Sequence, residues 1–300
     1  MHPLAMTLLR IVYPLPESNL KRDRPMQVLA LGISRSGTES LRNALAQLGY
    51  DDVFHGFRFV VDTSATLQWI QLVQAQQAGD SKDLTTADFD RILGDCEAVT
   101  DTPCCGFGLE LLTAYSEAKV ILNYREDLEK WHASAKNTLE KFADRPNFYE
   151  WLLTFFQPES FWQIHVMFYW DWQRPFQQDF EANGRKWYRE HYRSLDERLQ
   201  KEGRPYLKWK VEDGWYVQRY ARRRRSSNML TRDACRAPLC NFLVKPVPDS
   251  EFPSGNTPKE YDVKIARIFA QRKQEAQRNF IVFCAALAAA LVAMVAYLIM

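Results

Sequence analysis

The stretch Val28-Leu29-Ala30-Leu31, followed by Gly32-Ile33-Ser34-Arg35-Ser36-Gly37-Thr38-Glu39-Ser40-Leu41, constrains the fold more than any other part of the chain. Four apolar residues bounded by glycine read as a buried strand, and the residues after Gly37 open a helix. A strand that enters a glycine-bounded loop and then a helix makes a phosphate cradle, because backbone N–H groups and the helix N-terminus both face the loop. Gly32 and Gly37 bracket four residues, the spacing of a nucleotide phosphate loop, but Thr38-Glu39 stands where Lys-[Ser/Thr] would follow. ATPase or kinase chemistry is therefore not expected. The positive charge sits inside the loop at Arg35, whose planar guanidinium can fork two oxygens of a phosphate or sulfate. An ordinary strand-to-helix turn needs neither that guanidinium nor the hydroxyls of Ser34, Ser36 and Thr38.

Ser34-Arg35-Ser36-Gly37-Thr38 resembles the 5′-phosphosulfate loop of the sulfotransferases, in which a basic residue precedes Ser-Gly-Thr. With arginine as that residue, it is similar to the Gly-x-x-Arg-[Thr/Ser]-Gly-Thr-x-Ser-Leu form of a fungal-type sulfotransferase-like family. The resemblance implies a P-loop-type α/β fold and the co-substrate 3′-phosphoadenosine 5′-phosphosulfate (PAPS). It implies binding of that nucleotide by Arg35, Ser36, Gly37, Thr38 and Ser40. A second element fits. Arg125 ends the apolar run Lys119–Tyr124 and Ser134 follows nine residues later in the next helix, so the two can converge on one phosphate. This spacing resembles the family's 3′-phosphate motif.

Sulfuryl transfer also needs a base for the acceptor hydroxyl. In the cytosolic sulfotransferases a histidine ends a strand roughly twenty residues before the strand-end arginine. Here Asp101 holds that place, 24 residues before Arg125, in Val99-Thr100-Asp101-Thr102-Pro103. A carboxylate of suitable geometry can accept the proton, while a strand-end aspartate can equally cap the following turn. His55, after the run Val53-Phe54, is the second candidate. Arg35 is the catalytic cation, no metal is required, and no metal-ligand cluster is visible.

Strand and helix signals alternate after residue 26, which predicts an α/β fold with a three-layer parallel sheet flanked by helices. Strands are expected at 28–31, 51–54, 96–100, 119–124 and 206–211, with helices at 40–48, 67–78, 83–93, 107–115 and across 127–200. That last region is rich in aromatics, among them Trp131, Trp151, Phe155, Phe156, Trp162, Phe168, Trp170, Trp172 and Phe176, most of them expected in the core. The expected divisions are an N-terminal extension at 1–26, the α/β domain at 27–265, a basic juxtamembrane segment at 266–279 and a transmembrane helix at 280–300.

The net charge of +2 conceals an asymmetry, because residues 216–237 carry seven arginines against one aspartate. The family pattern breaks across this basic insertion, expected to be disordered. An unspliced intron and a basic loop touching acidic lipid both account for it. The main body implies no nucleic-acid partner. Six cysteines without Cys-x-x-Cys spacing suggest a reducing compartment. Residues 280–300 contain no charge over 21 residues, about 31 Å of helix, enough to span a bilayer as a tail anchor. Arg267, Arg272, Lys273 and Arg278 precede that stretch, so the positive-inside rule places the domain on the cytosolic side.

The expected activity is a membrane-anchored, PAPS-dependent sulfotransferase acting on a hydroxyl or amine acceptor. A non-catalytic nucleotide-binding module of the same fold is the alternative. An NAD-dependent epimerase, dehydratase or dehydrogenase is opposed by the absence of Gly-x-Gly-x-x-Gly and by an arginine where NAD loops need backbone room.

Overall fold

The computed structural model describes residues 3–16, 18, 20–78, 84–137, 147–167, 175–215, 237–253 and 258–299. The chain opens with helix α1 (Pro3–Val12) and proceeds through β1 (Val28–Ala30), α2 (Thr38–Gln47), β2 (Val53–Phe54), α3 (Gly56–Val61), α4 (Thr66–Ala78), α5 (Thr86–Leu93), β3 (Ala98–Val99), α6 (Gly108–Ala114) and β4 (Lys119–Asn123). Then follow α7 (Leu128–Ala135), α8 (Phe148–Leu153), α9 (Pro158–Phe161), α10 (Phe180–Lys201), β5 (Tyr206–Trp209), α11 (Pro238–Leu243) and α12 (Pro258–Ile299).

The five strands pair in parallel in the order β2-β3-β1-β4-β5. Leu29 lies in register between Val99 and Val120. Strand β1 is buried on both faces, as a parallel sheet covered by crossover helices requires. Alternation sorts its side chains into two layers. Leu29, Leu31, Val120 and Leu122 pack with Trp69, Phe89 and Phe107. Val28, Ala30, Ile121 and Trp209 pack with Leu41, Ala44 and Leu45 of α2. Each fully buried side chain of this size contributes about 1.5–3 kcal/mol.

Strand order locates the site. After β1 the chain crosses to β2, on one side of the sheet; after β4 it continues to β5, on the other. The crevice between the carboxyl ends of β1 and β4 is thus the topological switch point, where open α/β sheets bind ligands. Here β3 lies next to β1, whereas the dinucleotide fold has β2 there.

Several elements differ from the sequence expectation for identifiable reasons. Helix α2 begins at Thr38 because Gly37, at φ 84°, turns the chain directly into it. The unforeseen α3 starts at an unusual cap: the His55 ring accepts the Phe57 N–H at 3.2 Å. The region 127–200 is broken rather than continuous. Pro158 starts a new helix there, and the Gln157 side chain caps it by accepting the Ser160 N–H at 2.7 Å. Of its aromatics, Trp131, Trp162 and Phe176 are buried and Trp151 is exposed, while Phe168, Trp170 and Trp172 lie outside the described residues. The N-terminal segment, expected as a loose extension, forms α1 and sends Met6 and Leu15 into the core. The basic insertion lies outside the described residues from 216 to 236.

Helix α12 runs for 42 residues, about 63 Å. Its lower part docks on the domain. Arg272 bonds to Gln163, Ala276 is buried, and Asn279 Nδ2 donates to the Phe156 carbonyl at 2.8 Å. From Ile281 to Ile299 every side chain is exposed. The helix is long and apolar enough to cross a membrane.

Candidate active site

The loop after β1 is held by Asn123, the last residue of β4. The Gly32 N–H donates to Asn123 Oδ1 at 3.0 Å, and Asn123 Nδ2 donates to Ser36 Oγ at 2.8 Å. Ser36 Oγ in turn donates to the Ile33 carbonyl at 2.6 Å. A Cβ at Gly32 would sit 2.1 Å from the Asn123 carbonyl oxygen, so only glycine permits this approach. Arg35 adopts a left-handed φ of 71°, and Gly37 follows at 84°. Two left-handed residues so close in a short loop turn it over the N-terminus of α2. Gly37 brings no side chain to cap that helix, which suits an end whose dipole favours an anion.

A cleft of about 200 Å³ opens at this point, lined by Arg35, Ser36, Gly37, Thr38, Glu39, Ser40, Tyr124, Arg125 and Val211. All five nucleotide-binding residues expected in the loop therefore lie together, and Arg125 joins them from the end of β4. Ser134 comes in from α7: Arg35 Nε donates to Ser134 Oγ at 3.1 Å. The serine expected beside Arg125 thus bonds to the loop arginine instead. On the same helix face Trp131 Nε1 donates to the Ser34 carbonyl at 3.0 Å.

The sequence reading does not single out α10, yet this helix fastens the cleft from behind. Tyr188 Oη donates to the Arg125 carbonyl at 2.8 Å and accepts the Arg125 N–H at 2.9 Å. Tyr192 Oη donates to the Asn123 carbonyl at 2.6 Å. His191 Nε2 donates to the Leu31 carbonyl at 2.8 Å, and removal from water holds its pKa down at about 4, so the ring is neutral. The signal was present as Tyr188-x-x-His191-Tyr192, polar-tipped rings on one helical face that also carries Leu195 and Leu199.

Asp101 and His55 meet on the opposite side of the loop. Ser34 Oγ donates to Asp101 Oδ1 at 2.5 Å, and His55 Nε2 lies 3.3 Å from Asp101 Oδ2. The same nitrogen is 3.3 Å from Thr38 Oγ1. His55 Nδ1 accepts a backbone N–H, so in the neutral ring the proton resides on Nε2 and points to Asp101 and Thr38. Burial outweighs the Asp101 carboxylate and lowers the His55 pKa, which keeps the ring neutral. Asp101 is itself buried, at a left-handed φ of 68°. Gly56 makes room for it, since a Cβ there would stand 2.6 Å from Asp101 Oδ2.

A sulfotransferase domain matches residues 27–217, from the start of β1 past the end of β5. The chain belongs to the sulfotransferase family. The matched segment contains the loop, Arg125, Ser134, Asp101, His55 and the fastening face of α10. The chain is also 31% identical over 240 residues to Ava biosynthesis cluster protein M of Aspergillus versicolor, covering 76% of this chain and 80% of that protein. A sulfotransferase-like function follows from this membership.

Proposed function

We propose that the chain is a PAPS-dependent sulfotransferase transferring a sulfuryl group to a hydroxyl or amine acceptor. The observation that carries this reading is that Arg35, the residues Ser36 to Ser40 and Arg125 line one cleft at the switch point, with Ser134 bonded to Arg35 behind them. The donor set fits a bisphosphorylated nucleotide, with two guanidinium groups, serine and threonine hydroxyls and an uncapped helix N-terminus for oxyanions. Arg35 and the segment Ser36 to Ser40 hold the 5′ end, and Arg125 with Ser134 holds the 3′-phosphate. When bound, PAPS supplies the sulfuryl group and retains the bond-breaking oxygen on its 5′-phosphate.

Asp101 takes the acceptor proton as the acceptor oxygen or nitrogen forms its bond to sulfur. His55 acts as a positioning residue, donating from Nε2 to the carboxylate. Arg35 stabilises the charge that develops on the leaving phosphate, and such prepositioned donors account for most of the rate in group transfers of this type. The domain is held at a membrane by α12 and faces the cytosol, since basic residues precede its apolar part.

Calorimetry with 3′-phosphoadenosine 5′-phosphate, ATP and NAD, on the intact protein in detergent, tests the nucleotide assignment. Binding of the bisphosphate that ATP and NAD do not match, and its loss in Arg125→Ala, is the expected result; preference for ATP or NAD overturns it. A non-catalytic nucleotide-binding module is favoured by one observation, that both Asp101 oxygens are already engaged within the protein.

A further inference from the structure

Three apolar features of the domain are not required by the transfer chemistry. The first is the base of α12. The Phe280 ring lies 5.0 Å from Phe156 and 6.4 Å from Tyr149. Phe280 is the first residue of the apolar stretch, so these two aromatics sit where the helix passes from polar to apolar sequence. The second feature is α8, whose rings are turned outward: Phe148 is 73% exposed and Trp151 42%. The third is α1, where Leu4, Leu8, Ile11 and Val12 are each more than 60% exposed. Their spacing of four, three and one residues places all four within one stripe of about 100° along the helix. The helix carries no acidic residue in its first turn, and its opposite face holds Met6 against the core.

These features are joined through a chain of ring contacts. Tyr13, just past α1, stacks on Phe161 at 3.8 Å; Phe161 meets Phe155 at 6.0 Å, and Phe155 meets Trp151 at 4.9 Å. Trp162 Nε1 donates to the Tyr13 carbonyl at 2.7 Å and fixes α1 to the same layer. Lys273 pairs with Glu150 at 2.6 Å, which neutralises the acidic residue of α8 next to Trp151. A folded domain does not ordinarily leave four large aliphatic side chains and two aromatic rings exposed on linked helices.

We propose that the exposed stripe of α1 and the aromatic tip of α8 lie in the interfacial layer of the same bilayer that α12 enters, so that the domain rests on the membrane rather than hanging from a single helix. The inference rests on the reading of α12 as a membrane anchor. Continuity selects the bilayer over another protein. Helix α8 borders the first apolar turn of the span through Tyr149, α1 joins it through Tyr13, Phe161 and Phe155, and phenyl and indole rings are the side chains that settle at the boundary between headgroups and hydrocarbon.

The test uses the full-length protein in vesicles of phosphatidylcholine and phosphatidylserine containing lipid brominated near the headgroup end of its acyl chains. Flotation with the vesicles after alkaline carbonate reports the anchor; bromine-dependent quenching of tryptophan fluorescence reports the patch. Trp69, Trp131, Trp162 and Trp209 are buried, so the difference between wild type and Trp151→Phe isolates the ring at the patch. The expected result is flotation of wild type, Trp151→Phe and Leu8→Glu/Ile11→Glu alike. The quenching component is lost in the first variant and reduced in the second. Flotation with identical quenching in wild type and Trp151→Phe overturns the proposal while leaving the anchor intact. The same holds if Trp151 is shielded from the bromolipid by a second copy of the chain. Failure of the wild-type protein to float overturns the anchor reading and this proposal with it.

Discussion

The two sides of the loop after β1 are built from similar residues to opposite ends. On one side Arg35, Arg125 and the hydroxyls of Ser36, Thr38 and Ser40 border an open cleft. On the other, Ser34, His55 and Asp101 close on one another, with Thr38 Oγ1 reaching across to the imidazole. The first set borders space that a ligand can enter, whereas the second is closed on itself and its hydrogen bonds fix geometry. On the proposed reading the cleft side binds the nucleotide and the closed side holds the Asp101 base in place, so a substitution should affect one without the other.

The largest effect is expected on the closed side. Asp101→Asn keeps the volume and a hydrogen-bonding partner for Ser34 but cannot take a proton, so turnover should fall by about 10²–10⁴-fold. Bisphosphate affinity, read by calorimetry, should stay within about twofold, below 0.5 kcal/mol. A matching loss of affinity would mean that the two sides are one unit.

On the open side Arg125→Ala removes a charge-assisted contact and should weaken bisphosphate binding by roughly 100-fold, the equivalent of about 2.7 kcal/mol. Unfolding by urea should be unchanged, because Tyr188 holds the backbone at this position rather than the side chain. A large drop in stability would recast Arg125 as a structural residue.

The fastening helix sharpens the comparison through pH. The folded pKa of His191 lies at about 4, below the ordinary value of 6.5. A depressed pKa favours the neutral form, so its contribution is complete above about pH 6.5 and is lost as pH falls toward 4. His55 shifts in the same direction. From pH 7 to pH 5 the His191 share is about 2 kcal/mol, and His191→Phe should flatten the urea-stability profile over that window by a comparable amount. The smallest effect is that of Tyr192→Phe, which loses the bond to the Asn123 carbonyl, about 1 kcal/mol of stability, with bisphosphate affinity reduced only slightly.

The open side was legible in the sequence because local chain geometry makes it. Residues 32–40 are contiguous, and a strand-glycine-helix order leaves few ways to fold them. Arg125 and Ser134 were legible as a strand end and a helix position. Their relation to Arg35 was not, because the bond from Arg35 to Ser134 spans 99 residues. The closed side was legible only as a choice between Asp101 and His55. The structure shows them in contact, and on the proposed reading what separates their roles is the Phe57 N–H on His55 Nδ1, set by the backbone of α3. Helix α10 lay hidden for a further reason. Its Tyr188, His191 and Tyr192 read as ordinary amphipathic positions until the sheet places the carbonyls of Leu31, Asn123 and Arg125 beside them. The same holds for α1, whose short apolar run gave no sign that one face would enter the core and the other remain uncovered.

The central claim is transfer, and incubation with ³⁵S-labelled PAPS together with aqueous and lipid extracts as the acceptor pool tests it most directly. The account predicts that label moves to a discrete product with wild-type protein, and that transfer is lost in Asp101→Asn although that variant still binds the bisphosphate. Tight bisphosphate binding with no labelled product from any extract, or equal transfer by wild type and Asp101→Asn, would contradict it.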